Sequence, residues 1–309
     1  MGRMRILLAG ASGFLGSRLI PRLRRSGHEV VQLVRRPPDG ADQVRWDPGA
    51  GVLDGTVLST VDAVVNLAGA GVADKRWSDK YKKILVESRV STTGLLATAM
   101  AESPAGPKVL LNASGVDFYG DTGDRSVDEQ SPPGEGFLAE LTRRWEAATR
   151  PAEEAGARVV HLRTGMPLAG GGGLLKPLVL QFKLFAGGRM GRGRQYLPWI
   201  SMPDWLSAVE FLLARDDVSG PVNLCAPRPV TNAEFSAALG RVLHRPALVP
   251  VPRFALRLAA GELGAAVLES RRVLPGVLMR KGFEFAHQDV EEALRVALGA
   301  QQSASATTQ

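Results

Sequence analysis

Short apolar runs alternate with longer amphipathic stretches over the first 165 residues of the chain. The apolar runs predict five buried strands, at residues 5–9, 29–34, 62–67, 108–112 and 157–162. The stretches between them predict helices at residues 13–26, 78–102 and 137–155. Continuous apolar strands that alternate with helices are typical of parallel sheets covered on both faces. We therefore predict an α/β fold with a doubly wound parallel sheet of the Rossmann type.

The pattern changes near residue 166, where glycine runs and proline-interrupted helices replace the regular alternation. We predict a nucleotide-binding Rossmann domain over residues 1–165. A smaller α+β substrate domain is predicted over residues 166–299, with some of its segments returning to the first domain. Residues 300–309 are small and polar, which predicts a disordered tail.

The composition is that of a folded globular protein, with 45% hydrophobic and 22% charged residues among 309. A single cysteine, Cys225, excludes an intramolecular disulfide and predicts a cytoplasmic protein. No apolar run reaches the roughly 18 residues of a membrane span. The apolar run at residues 6–9 leads directly into a glycine motif, which favours a buried first strand over a signal peptide.

The net charge is 38 − 31 = +7, but the basic residues are scattered rather than gathered into runs with interleaved aromatics. We therefore predict a small-molecule substrate and no nucleic-acid or membrane partner, and leave open a monomer or a homodimer. The four histidines share no spacing that is typical of metal ligands, so no metal site is predicted.

A glycine loop, Gly10-Ala-Ser-Gly-Phe-Leu-Gly16, follows the first predicted strand and opens the first predicted helix. In this context the glycines permit a tight turn, close approach of a diphosphate, and packing of the helix on the sheet. The helix N-terminus would supply free amides to the phosphates. The alternative is a glycine turn without a ligand. The candidate cofactor residues of the loop are Gly10, Ser12, Gly13, Phe14, Leu15 and Gly16.

The second predicted strand ends in Arg35 and Arg36, where NAD-binding proteins carry an acidic residue for the ribose hydroxyl. Guanidinium groups suit the 2′-phosphate of NADP, so the sequence favours NADP(H) over NAD. A solvated arginine pair before a proline turn is the alternative. Asn66, Ala68 and Gly69 close the third strand, where small residues would let the dinucleotide lie against the backbone.

Several segments resemble the atypical branch of the short-chain dehydrogenase/reductase superfamily called epimerase family proteins, which carry a C-terminal domain of unassigned function. They are Val-Asn-Leu-Ala-Gly-Ala-Gly at 65–71, Phe-Tyr-Gly-Asp at 118–121, Leu-Arg-Thr-Gly at 162–165, and the segments 226–235 and 245–252. The resemblance covers about residues 4–298 and implies a cofactor more securely than a substrate. It also implies that the turn after the fifth strand, with Arg163, meets the nicotinamide end of the cofactor.

The superfamily uses a serine, a tyrosine and a lysine four residues after the tyrosine for proton transfer. Ser114 ends the fourth predicted strand, but the residue four beyond Tyr119 is a glycine. The corresponding helix carries Leu138 and Thr142 at the tyrosine and lysine positions, and neither can act as an acid or base near pH 7. The catalytic candidates are therefore Tyr119 as a replacement acid, Ser114 to orient the substrate, and Asp117 as a rival acid or a turn-stabilising residue.

Four further residues are candidates for substrate contact, Arg76, Trp77, Arg89 and Trp199. Arg76 and Trp77 lie in a loop beyond the third strand, where open α/β sheets bind ligands, although Trp77 could equally anchor the loop by burial. The sequence favours an NADP(H)-dependent oxidoreductase or epimerase-like enzyme. A non-redox isomerase, cyclase or dehydratase on the same scaffold, and an NADP(H)-binding regulatory protein without turnover, remain open.

Overall fold

The computed structural model describes the backbone of residues 2–306 and the side chains of residues 2–299. The strands are β1 Arg5–Ala9, β2 Glu29–Val34, β3 Gln43–Asp47, β4 Val52–Leu53, β5 Ala63–Asn66, β6 Val109–Gly115, β7 Ser126–Val127, β8 Arg158–Thr164, β9 Met166–Leu168, β10 Tyr196–Leu197, β11 Trp199–Ser201, β12 Gly220–Leu224, β13 Val230–Thr231 and β14 Arg272–Val273. The helices are α1 Gly16–Arg25, α2 Asp79–Ala101, α3 Phe137–Ala147, α4 Arg150–Glu154, α5 Leu175–Lys183, α6 Met202–Ala214, α7 Asn232–Leu243, α8 Arg253–Ala260, α9 Glu262–Ala266, α10 Gly276–Arg280 and α11 Val290–Ala306.

An eight-stranded sheet has the order β12-β8-β6-β5-β1-β2-β3-β4. Strand β1 pairs in parallel with both β2 and β5, and β5 pairs in parallel with β6. The chain thus winds outward from β1 in one direction and then returns to build the other half of the sheet. The predicted doubly wound α/β fold is confirmed. Its topological switch point lies between β1 and β5, which is where such sheets bind nucleotides.

Strands β1 and β2 have the bounds that their apolar runs predict. Residues 6–9 of β1 are completely buried, and the apolar side chains of Val30, Val31 and Leu33 in β2 are 4% exposed. Strands β3 and β4, which extend the sheet beyond β2, were not predicted. The predicted helix at 137–155 is interrupted: α3 ends at Ala147 and α4 begins at Arg150, with Pro151 in its first turn. Proline lacks the amide that a continuous helix would need at that position.

The chain divides into two compact units. The first comprises residues 1–115, 140–163 and 209–222, and the second comprises 116–139, 164–208 and 223–309. The predicted boundary near residue 165 is therefore one of several places where the chain passes between units. Helix α11 overlaps the predicted tail at 300–309, and residues 307–309 lie outside the described part. Over the described residues, the helices lack the combination of length and apolar character needed to cross a bilayer.

Candidate cofactor and catalytic residues

The glycine loop of residues 10–16 is tightly closed in the first unit. Gly10 has φ +81°, and a Cβ there would lie 2.6 Å from the backbone carbon of Leu67. A Cβ on Gly16 would lie 2.2 Å from the carbonyl oxygen of Gly10. The amide of Gly13 donates to that same carbonyl at 3.0 Å and closes the turn. Side chains at Gly10 and Gly16 would therefore break the loop itself, whereas Gly13 is exposed to solvent.

Free backbone amides make the loop suitable for an anion. Helix α1 begins at Gly16, and within the described residues the amides of Phe14 and Leu15 donate to no other group. The first amides of a helix carry partial positive charge and bind phosphate groups well. Arg18 donates to the carbonyl of Phe14 at 2.8 Å and lies over its ring, which fixes the entrance of the helix. The loop thus fits the diphosphate of a dinucleotide.

Arg35 and Arg36 follow β2 and differ in their surroundings. Both are exposed, but Arg36 forms an ion pair with Asp39 at 2.8 Å and also donates to the carbonyl of Pro37. The hydrogen bond from Arg36 lowers the pKa of the Asp39 carboxyl below its ordinary value. Arg35 has no such partner among the described side chains. Of the predicted pair, Arg35 is therefore the cation that is available to a 2′-phosphate.

Asn66, expected to contact the cofactor, is completely buried in a polar network beneath the end of the sheet. Its side chain donates to Thr93 at 3.0 Å and to Asn112 at 2.7 Å, and it accepts from the amide of Ala68 at 3.1 Å. Trp145 of α3 donates to Thr93 at 3.0 Å. The Asn66 side chain therefore shapes the turn at Ala68, and this placement counts against a direct contact with the cofactor.

Ser114 belongs to a buried group of three side chains in the first unit. Its hydroxyl donates to Oε1 of Glu146 at 2.6 Å. Arg163 donates to both oxygens of the same carboxylate, from Nε and Nη2, at 2.8 Å each. Burial alone would raise the pKa of Glu146, but the hydrogen bonds and charge of Arg163 hold it below its ordinary value. Glu146 is therefore ionised at neutral pH, and the Ser114 oxygen is left as a hydrogen-bond acceptor.

The role of Glu146 was missed in the sequence. Its position one turn beyond Thr142 on α3 was the available signal, since residues four apart share a helix face. Arg163, expected to bind the cofactor, is instead 97% buried and committed to this carboxylate. Its position counts against a direct cofactor contact. Arg163 instead orients the Glu146 carboxylate, which accepts the hydrogen bond from Ser114.

Tyr119, the predicted acid, is only 1% exposed in the second unit. Its hydroxyl donates to Oδ1 of Asn223 at 2.8 Å, and its ring packs in an apolar cluster with Val116 and Cys225. A phenol sealed in this way has no path to a substrate. The placement counts against Tyr119 as the acid and makes it a core aromatic whose hydroxyl is satisfied by Asn223.

Asp117 is the more accessible catalytic candidate. Its side chain is 34% exposed and forms an ion pair with Nη2 of Arg271 at 3.1 Å. Arg271 also donates to Glu269 at 2.5 Å, so that two carboxylates share one guanidinium. Burial raises the pKa of the Glu269 carboxyl, and the charge of Asp117 adds to this rise. Among the described residues, the Asp117 carboxylate accepts no backbone hydrogen bond, which removes the expectation that it stabilises a turn.

The four predicted substrate residues differ in their exposure to solvent. Arg76 is exposed, whereas Trp77 is buried and donates to the carbonyl of Val72 at 2.9 Å, so that it anchors its loop. Arg89 is buried in α2, beneath Gly69 and over the ring of Trp145. Trp199 is 1% exposed in the core of the second unit, which counts against its predicted contact with substrate.

A family model described as the NAD dependent epimerase/dehydratase family matches residues 6–225. The chain belongs to this family. A second model, described as a domain of unknown function, matches residues 251–297. The chain is 46% identical to an epimerase family protein of Mycobacterium bovis, over 94% of this chain and 96% of the relative.

Two solved structures are similar to this one. The crystal structure of the human epimerase family protein SDR39U1 with NADPH is 33% identical, with a TM-score of 0.87, over 95% of this chain and 99% of that one. A nucleoside-diphosphate sugar epimerase from Corynebacterium glutamicum is 35% identical, with a TM-score of 0.81, over 97% of this chain and 59% of that one. The predicted resemblance to epimerase family proteins is confirmed.

Proposed function

We propose that this protein binds NADP(H) and exchanges a hydride between the cofactor and a small organic molecule. Two observations carry the proposal. The glycine loop is closed, and the amides of Phe14 and Leu15 donate to no group in the described part of the chain. Arg35 at the end of β2 is exposed and pairs with none of the described side chains. A diphosphate fits the loop, and a 2′-phosphate fits Arg35. The NADPH complex of the human relative supports the same cofactor. The cofactor, when bound, would supply or accept the hydride.

In this proposal Ser114 positions the reacting group. Because its hydroxyl proton is directed at the Glu146 carboxylate, the serine accepts a hydrogen bond from the ligand rather than donating one. It therefore suits a ligand hydroxyl or amide and does not suit a bare carbonyl oxygen. Arg163 keeps Glu146 ionised and thereby keeps Ser114 in this role.

Asp117 is the proposed proton carrier, in place of Tyr119. It is the most exposed of the three predicted catalytic side chains, and the pairing with Arg271 fixes its position. General acid–base catalysis contributes a factor of about 10² to 10⁴. Asp117→Asn should therefore lower the chemical step by that order, while NADPH affinity stays unchanged.

The experiment is the gain of NADPH fluorescence when NADP+ is mixed with a panel of primary alcohols, secondary alcohols and sugar nucleotides that carry free hydroxyls. Turnover with any of them that is reduced in Asp117→Asn and retained in Tyr119→Phe supports the proposal. Turnover lost in Tyr119→Phe, with the fold and NADPH affinity intact, refutes the assignment to Asp117.

A second candidate is an NADP(H)-binding protein without turnover. It is favoured by the replacement of the tyrosine–lysine pair by Leu138 and Thr142 and by the sealed hydroxyl of Tyr119. Strong NADPH binding with no reduction of NADP+ across the panel would support it over the first proposal.

A further inference from the structure

Two segments of the second unit, residues 174–194 and 241–261, carry basic and apolar side chains but no acidic ones. The first contains five Lys or Arg residues and the second contains four, and neither contains Asp or Glu. The segments lie against each other: the amide of Val249 donates to the carbonyl of Gly187 at 3.1 Å, and the amide of Val251 donates to that of Arg189 at 2.9 Å. Together they form one surface, here called the basic apolar face, in which Arg241 at one end is paired with Glu291 of α11 at 2.7 Å.

Helix α8 shows the character of this face most clearly. None of its eight residues is buried. Phe254 and Leu258 are 73% and 76% exposed and lie one turn apart, so that they form one apolar stripe. Arg253 and Arg257 are also exposed and form a basic stripe directly beside it. A soluble helix normally turns its apolar stripe toward the core, but α8 presents it to solvent.

The neighbouring segment has the same character. Leu180 and Leu184 are exposed one turn apart at the end of α5, and Leu248 is exposed on the opposing segment. Phe185 is 59% exposed and has φ +58°, in the left-handed region that bulky side chains avoid. The unfavourable backbone conformation of Phe185 is therefore not compensated by burial of its ring among the described residues. Such outliers are typical of functional surfaces.

We propose that the basic apolar face docks on an anionic lipid surface, with the apolar side chains among the headgroups and the arginines against the lipid phosphates. Helices with a basic stripe beside exposed Phe and Leu lie in the plane of such surfaces. A second copy of the chain is a poor occupant, because a twofold interface would place two basic faces against each other. The inference goes beyond the proposed function. It also departs from the expectation of no membrane partner. A protein can bind to the surface of a membrane without an apolar segment long enough to cross it.

The test is cosedimentation of the full chain with vesicles of phosphatidylcholine alone and of phosphatidylcholine mixed with phosphatidylglycerol. We expect binding to the mixed vesicles only, weakened by added salt. Phe254→Ser with Leu258→Ser, and separately Arg253→Gln with Arg257→Gln, should each weaken binding by about tenfold or more. Matched controls in the first unit, Val52→Ser for apolar exposure and Arg144→Gln with Arg150→Gln for charge, should leave binding unchanged.

Three outcomes would overturn the proposal. They are no binding to the mixed vesicles, equal binding to neutral vesicles, and equal losses in the control variants. Light scattering of the free protein tests whether a second copy of the chain binds to this face. A dimer that is lost in Phe254→Ser with Leu258→Ser would show that it does, and would overturn the lipid proposal. An unchanged shift of the melting temperature by NADPH shows that each variant is folded.

Discussion

Replacement of Glu146 by glutamine tests the buried group that holds Ser114. The substitution keeps the size of the side chain but removes the carboxylate charge that pairs with the Arg163 guanidinium, which is 4% exposed. It also turns one of the two acceptor oxygens into a donor. Removal of one partner from a buried ion pair costs about 3–5 kcal/mol. We expect the free energy of unfolding of Glu146→Gln, measured by urea denaturation, to fall by that amount.

Glu140→Gln is the matched control, since Glu140 lies on the same helix and forms an exposed ion pair with Arg143. Exposed pairs contribute about 1 kcal/mol or less, so this variant should remain close to the parent. A Glu146→Gln variant within about 1 kcal/mol of the parent would refute the reasoning, because removal of one member of a buried ion pair is costly.

The pH dependence gives a second readout of the same group. The pKa of Glu146 in the folded protein lies below its ordinary value of 4.5. Its carboxylate therefore stabilises the fold fully above that value, and the stabilisation is lost as the pH falls through the lower folded-state pKa. The difference in stability between the parent and Glu146→Gln should shrink on acidification in this range. A difference that grows as the pH falls would contradict the ionised state of Glu146.

Three further predictions concern the cofactor and the core. Arg35→Ala should lose about 1.5–3 kcal/mol of NADPH affinity, or about tenfold to 150-fold, with NADH affinity unchanged in calorimetry. Arg36→Ala should lose less, because Arg36 is already paired with Asp39, and equal losses would contradict the distinction between the two arginines. Gly13→Val should abolish the NADPH-induced rise in melting temperature while the protein stays folded; an equal rise in the variant and the parent would place the diphosphate elsewhere. Tyr119→Phe should lower the free energy of unfolding by about 1–3 kcal/mol, because the buried Oδ1 of Asn223 loses its donor. Tyr196→Phe is its control, and equal stability of Tyr119→Phe and the parent would show that the hydroxyl is not sealed.

The parts of the fold that could be predicted are those with a local cause. Strands β1 and β2 are continuous apolar runs, and the glycine loop is set by residues within seven positions of each other. Strand β3, at residues 43–47, was missed because only Trp46 of its five residues is buried and the strand mixes Gln, Arg and Asp with Val and Trp. Its place next to β2 comes from pairing between strands, which no local pattern reveals.

The catalytic residues could not be predicted in the same way, because their surroundings come from distant parts of the chain. Ser114 meets Glu146 across 32 residues, and Tyr119 meets Asn223 across 104. Nearness to Ser114 in the sequence suggested Tyr119 as the acid, and the family resemblance suggested Arg163 for the cofactor. Burial decided both cases, since the phenol is sealed in an apolar cluster and Arg163 is paired with a carboxylate.

Calorimetric titration of the unmodified protein with NADPH and with NADH tests the central claim most directly. The free amides of the glycine loop serve both cofactors equally, whereas Arg35 has a partner only in the 2′-phosphate of NADPH. We expect NADPH to bind about tenfold to 150-fold more tightly than NADH, which corresponds to one charge-assisted contact. Equal affinity for the two, or no binding of either, would contradict the account.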